Sequence, residues 1–188
     1  MKFGILFLTI SAMWVVSEIM LGILVRSTKN SRDQDKGTLK LLNIIIYTCV
    51  TAAVIVGICG IGTIGASGSI IPLTGLCIIL IGLIIRWTAI LTLRKYFTVN
   101  VVIQSGHRII QNGIYRYVRH PSYSGAIISF CGLGLAFYNW ISIIVLAVPI
   151  TIAFLKRIQV EEQALISAFG DDYANYRKKT RILFPWIY

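Results

Sequence analysis

The chain has 188 residues, 56% of them hydrophobic and only 13% charged, with 18 lysines and arginines against 7 acidic residues. Soluble domains run about 45–50% apolar and about 25% charged, so this composition excludes an ordinary soluble protein and marks an integral membrane one. The net charge of +11 does not point to nucleic acid, because the basic residues fall in three separate segments rather than on one element.

Five apolar segments are long enough, or nearly so, to cross a ~30 Å hydrocarbon core, which takes about 20 helical residues. In chain order they are Phe3–Val25, Leu41–Gly60, Ile70–Leu93, Pro121–Tyr138 and Trp140–Leu155. The first run ends in basic residues without a small-residue cleavage site, so it reads as a spanning helix rather than a signal peptide. The turn Tyr138-Asn139-Trp140 is short enough to make the last two helices an antiparallel hairpin, and the last can continue past Glu162. The expected fold class is all-α: one polytopic membrane bundle of about five transmembrane helices. Residues 1–93 supply three of them; residues 94–188 supply two more and an amphipathic tail. In that tail Leu165, Phe169, Tyr173 and Tyr176 recur at helical spacing, interrupted at Gly170.

Lysines and arginines alternate between the loops. Residues 26–40 carry five, residues 94–119 five more and the tail from Lys156 six, while the connections near residues 60–69 and 139 carry none. By the positive-inside rule the N-terminus lies outside and the C-terminus in the cytosol. Two charges interrupt the spans. Glu18 lies eight residues before Arg26, and Arg86 eight before Arg94. Their helices run the same way, so both sit about 12 Å from the inner end and are expected to pair, directly or through Ser17 or Thr88.

The stretch from Asn112 to Gly125 gathers Tyr115, Tyr117, Arg119, His120, Pro121 and Tyr123, and Glu161-Glu162 follow on the last helix. Charge near hydrocarbon is costly and usually functional. Pro121 suits the first turn of a helix, whose amides favour an anion. Gly113 permits a tight turn and Gly125 a close approach. Arg157 and Glu161 share one helix face, while Glu162 points about 100° away. A basic juxtamembrane anchor with interfacial tyrosines would explain any one of these residues, but not all of them together. The four cysteines and two histidines have no metal-ligand or disulfide spacing.

At these residues the chain resembles the isoprenylcysteine carboxyl methyltransferase family. The likeness runs from Arg94-Lys95-Tyr96-Phe97 through His107-Arg108-Ile109-Ile110, Gly113-Ile114-Tyr115 and Arg119-His120-Pro121-Ser122-Tyr123-Ser124-Gly125. It continues through Arg157, Glu161-Glu162 and Phe169-Gly170-Asp171-Asp172-Tyr173 to Pro185. The resemblance implies S-adenosylmethionine as cofactor, held in a cytosolic pocket formed by the C-terminal half. His107, Arg108, Ile109, Ile110, Tyr115, His120, Pro121, Ser122, Tyr123 and Glu161 would contact it, with Gln104 the nearest match to a family glutamine. Arg157 would meet the carboxylate of a lipophilic, isoprenylcysteine-like substrate entering from the bilayer, with membrane lipids as the other partner. Alternatives are a phospholipid or other lipid N- or O-methyltransferase and an NADPH-dependent membrane sterol or enone reductase.

Overall fold

The computed structural model of the chain describes residues 2–24, 37–65, 70–98 and 108–185. Among the described residues six α-helices follow one another: α1 (Lys2–Leu24), α2 (Thr38–Cys59), α3 (Ile70–Leu93), α4 (Pro121–Ala136), α5 (Trp140–Phe169) and α6 (Asp171–Lys179). The helical class follows from the solvent. Hydrocarbon offers backbone groups no partner, so each span must satisfy its own N–H and C=O groups. Helices α1, α2, α3 and α5 are long and apolar enough to cross a membrane. With 16 residues, α4 reaches only about 24 Å at 1.5 Å per residue. It ends short of the expected Tyr138, where the chain turns and Tyr138 takes a φ of 58°.

α4 is the core of the bundle. Twelve of its 16 residues are buried, and it packs along α3 on one side and α5 on the other, while α2 packs along α5. Glycines let α3 and α4 touch backbone to backbone. A Cβ built on Gly125 would stand 2.5 Å from the Gly82 carbonyl oxygen and 2.7 Å from the Arg86 amide. The close approach that Gly125 permits is thus used by a neighbouring helix. α1 buries Ile10, Trp14 and Leu21 and exposes Ile5, Leu8, Val15 and Ile23. Such a broad apolar surface belongs to a protein surrounded by lipid.

Glu18 and Arg86 pair directly. Nη2 of Arg86 donates to Oε2 of Glu18 at 2.7 Å, and Nε stands 2.7 Å from Oε1. Arg86 also donates from Nη1 to the Ser122 carbonyl and hydroxyl, both at 3.2 Å. The pair therefore fastens α1 and α3 to the first turn of α4. At the opposite end, Asn139 caps α5 by accepting from the Ser142 amide at 3.0 Å and donates to the Ile61 carbonyl at 2.6 Å.

α5 continues to Phe169 and turns at Gly170, whose φ is 53°. α6 then lays Tyr173 and Tyr176 against the bundle, both buried. Beyond it the chain folds back as a strap. The Arg119 amide donates to the Arg181 carbonyl at 2.8 Å, the His120 amide to Ile182 at 3.1 Å, and the Arg181 amide to Tyr117 at 3.0 Å. The Ser124 hydroxyl donates to the Leu183 carbonyl.

Candidate functional site

Pro121 starts α4 as its spacing predicts, and this projects His120 and Tyr123 toward the end of α5. Arg157 and Glu161, one turn apart on α5, both meet Tyr123. The Tyr123 hydroxyl accepts from Arg157 Nε at 3.1 Å and donates to Glu161 Oε2 at 2.9 Å. The two charged groups are thus bridged by a phenol from the other helix. Its ring stacks on His120, 5.8 Å between centroids, and on Phe154 at 4.9 Å. Arg157 is only 2% exposed, and its Nη1 donates to the Thr38 hydroxyl at 3.0 Å.

Glu162 faces a second cluster, as its 100° offset from Glu161 requires, and His120 joins the two, with Nδ1 3.8 Å from Glu161 Oε2. Oε1 of Glu162 accepts from Arg119 Nε at 2.7 Å and lies 3.4 Å from His120 Nε2, and its Oε2 lies 3.1 Å from Arg177 Nε. Glu162 sits past the apolar part of α5. Burial there would raise its pKa, but hydrogen bonds and charge from His120 and Arg119 outweigh that and hold it down at about 2. Arg119 also donates from Nη1 to the Thr180 and Arg177 carbonyls, at 2.5 and 3.1 Å.

Several donors at the start of α4 already have partners within the fold. Arg119 holds Glu162 and the tail carbonyls and also borders the cleft beside His120 and Glu161. The Tyr123 and Ser124 amides both close on the His120 carbonyl, at 3.1 and 3.2 Å, because the His120 backbone bends to start the helix. The first turn is largely committed to its own backbone.

Leu93, Tyr96, Arg108, Ile109, Ile110, Tyr115, His120, Glu161, Tyr173 and Tyr176 are among the residues around a cleft of about 80 Å³. Gly113, with a φ of 57°, makes the turn that carries Tyr115 inward. The Tyr176 hydroxyl donates to the Tyr115 carbonyl at 2.7 Å. Burial first, then the charge of Glu161 or Glu162, pushes the phenols of Tyr115 and Tyr173 well above their ordinary range, so they remain donors. Of the residues singled out from sequence, Arg108, Ile109, Ile110, Tyr115, His120 and Glu161 line this cleft. Pro121, Ser122, Tyr123 and Arg157 are not among its lining residues, and Gln104 and His107 lie outside the described residues. Small-molecule sites usually enclose roughly 300–1,000 Å³, so the cleft as described holds only part of such a ligand. A larger, more open hollow of about 220 Å³ is lined by Arg119, Arg177, Thr180, Arg181 and Ile182. It offers no carboxylate or aromatic face, whereas the smaller cleft has both.

Sequence reasoning gave no role to Thr38, Arg177 or Thr180. Thr38 carried no signal, since it stands in a different helix more than a hundred residues from Arg157. For Arg177, the helical spacing from Tyr173 and Tyr176 was a usable hint.

Fold and site together define a polytopic helical membrane protein with a paired-carboxylate, arginine and tyrosine cluster between α4 and α5. The model of the isoprenylcysteine carboxyl methyltransferase family matches residues 74–167, half of the chain, and the chain belongs to that family. Protein-S-isoprenylcysteine O-methyltransferase B of Arabidopsis thaliana is 36% identical over 115 residues, covering 60% of this chain and 58% of the plant protein. The mouse protein-S-isoprenylcysteine O-methyltransferase is 33% identical over 118 residues, covering 61% of this chain and 41% of its own length. The solved structure of a eukaryotic intramembrane Ras methyltransferase, an isoprenylcysteine carboxyl methyltransferase, aligns with a TM-score of 0.59 at 32% identity. That alignment covers 62% of this chain and 43% of the other. The chain thus spans less than two thirds of each of these relatives.

Proposed function

We propose that the protein transfers a methyl group from S-adenosylmethionine to the carboxylate of a lipophilic, isoprenylcysteine-like acceptor at the cytosolic boundary of the membrane. One observation carries this reading. The Tyr123 hydroxyl joins Arg157 to Glu161, so a cation suited to an acceptor carboxylate and an anion suited to a cationic donor flank a single side chain. The donor set around the cleft fits. Glu161 can take hydroxyl or amino groups, Tyr115 and His120 offer ring faces, and Ile109 and Ile110 offer apolar cover for a base. Arg108 completes that lining; Pro121, Ser122, Tyr123, Gln104 and His107 are proposed as further contacts.

S-adenosylmethionine held by Glu161, Tyr115 and His120 would supply an electrophilic methyl whose carbon–sulfur bond would break with its electron pair left on sulfur, and a carboxylate acceptor would bring no proton to remove. The protein's task is alignment, worth up to about 7–11 kcal/mol in favourable cases. No general base is required for an acid already ionised at neutral pH. Buried Arg157 favours a carboxylate over an amine acceptor, because a guanidinium attracts an anion and repels an ammonium. The N-terminus lies outside and the C-terminus in the cytosol in this reading, and the acceptor's lipid tail enters from the bilayer.

Titration of the purified protein with S-adenosylmethionine, its demethylated product and NADPH, followed by thermal stability, tests the donor. Stabilisation by the first two is expected, and stabilisation by NADPH alone overturns the reading. Glu161→Ala should abolish donor binding, whereas Arg157→Ala should lose label transfer to an S-prenylated N-acylcysteine first. Loss of donor binding ahead of turnover in Arg157→Ala would refute this division of roles.

A further inference from the structure

We infer that Thr38 is a positioning residue for Arg157, through which the N-terminal half of the chain sets the plane of the guanidinium that receives the acceptor carboxylate. The inference rests on the carboxylate reading above. Arg157 reaches out of α5 on a flexible stem, and a stem of that length does not by itself define a plane. Two hydrogen bonds from different helices do. Nε donates to the Tyr123 hydroxyl of α4 at 3.1 Å, and Nη1 donates to the Thr38 hydroxyl of α2 at 3.0 Å. A guanidinium recognises a carboxylate edge-on with two nitrogens at once, so a rotated plane loses one of the two bonds.

Thr38 is the first residue of α2, directly after Gly37, whose φ is 73°. α2 packs along α5, which brings this helix start against the buried Arg157. Thr38 also lies outside residues 74–167, the part matched by the family. Thr38 is not among the residues lining the cleft, so its effect on the reaction runs through Arg157.

Thr38→Val keeps the shape and β-branching and removes the hydroxyl; Thr38→Ser keeps the hydroxyl. The probes are a fluorescent S-farnesyl N-acylcysteine and its methyl ester, bound at equilibrium to the full chain in nanodiscs. The demethylated donor product is titrated in parallel. Wild type is expected to prefer the acid. Thr38→Val should lose roughly tenfold of that preference, the scale of one hydrogen bond to a charged group, and raise KM more than it lowers kcat. Thr38→Ser should restore both, and affinity for the demethylated product should stay unchanged throughout. If wild type prefers the acid and Thr38→Val retains that preference, Thr38 has no such role and the carboxylate reading stands. Equal impairment in Thr38→Ser, or a parallel loss of product affinity, also overturns the assignment. If wild type binds acid and ester alike, the carboxylate reading falls and the role of Thr38 falls with it.

Discussion

The Tyr123 hydroxyl accepts from Arg157 and donates to Glu161, so Tyr123→Phe leaves a buried guanidinium nitrogen and a carboxylate each short of one partner. Hydrogen bonds to charged groups are worth about 1.5–3 kcal/mol. We expect kcat/KM for methyl transfer to fall about ten- to a hundredfold, with stacking on His120 and Phe154 preserved; an unchanged rate would refute the bridging role. Glu162 makes a different prediction. Its folded pKa of about 2 lies below the ordinary 4.5. A depressed carboxylate contributes stability that is fully present above its unfolded value and lost as pH falls through its folded value. Wild-type thermal stability should therefore drop between pH 4.5 and about 2 more steeply than that of Glu162→Gln, which has no such proton to take up. Parallel profiles in detergent would show that Glu162 contributes nothing to the acid limb.

Between helices, the Glu18–Arg86 pair was legible in the sequence, because two parallel spans put charges eight residues from their basic ends at one depth. Its consequence was not. Arg86 also grips the Ser122 carbonyl, so the pair sets how α4 begins and thus where His120 and Tyr123 point. Arg86→Leu alone strands Glu18 and should cost about 3 kcal/mol or more, whereas Glu18→Leu with Arg86→Leu should unfold nearly like wild type. The double variant should nonetheless bind the methyl donor several-fold more weakly, since the Ser122 tether is gone. Full donor affinity in a stable double variant would reduce the pair to a helix-register device. The α3–α4 contact was only half legible. Gly125 announced a close approach, but which helix it meets depends on Gly82 lying opposite.

At the scale of the whole molecule, the tail closes the site from behind. The carbonyls of Arg181 and Ile182 hold the Arg119 and His120 amides, and the Thr180 carbonyl holds the Arg119 side chain. A chain ending at Lys179 keeps every helix and loses these acceptors. We expect it to retain its far-UV helical signal and lose donor binding. Retained binding at wild-type affinity would show that the strap is dispensable.

Hydrophobic run length, the loop charges and the Arg-His-Pro and Glu-Glu motifs are local quantities, and by themselves they determined a helical membrane bundle, its approximate spans and the two stretches that meet at Tyr123. They also placed Pro121 at a helix start and Gly170 at a helix break. What only the tertiary structure decided is which partner each polar group takes. Glu161 and Glu162 are neighbours in sequence, yet one turns to Tyr123 and the other to Arg119 because a helix separates them by about 100°. The Arg157–Thr38 bond and the strap against His120 join residues far apart in the chain. Only the packing of α2 and α6 against α5 makes those contacts, and no local spacing encodes that packing.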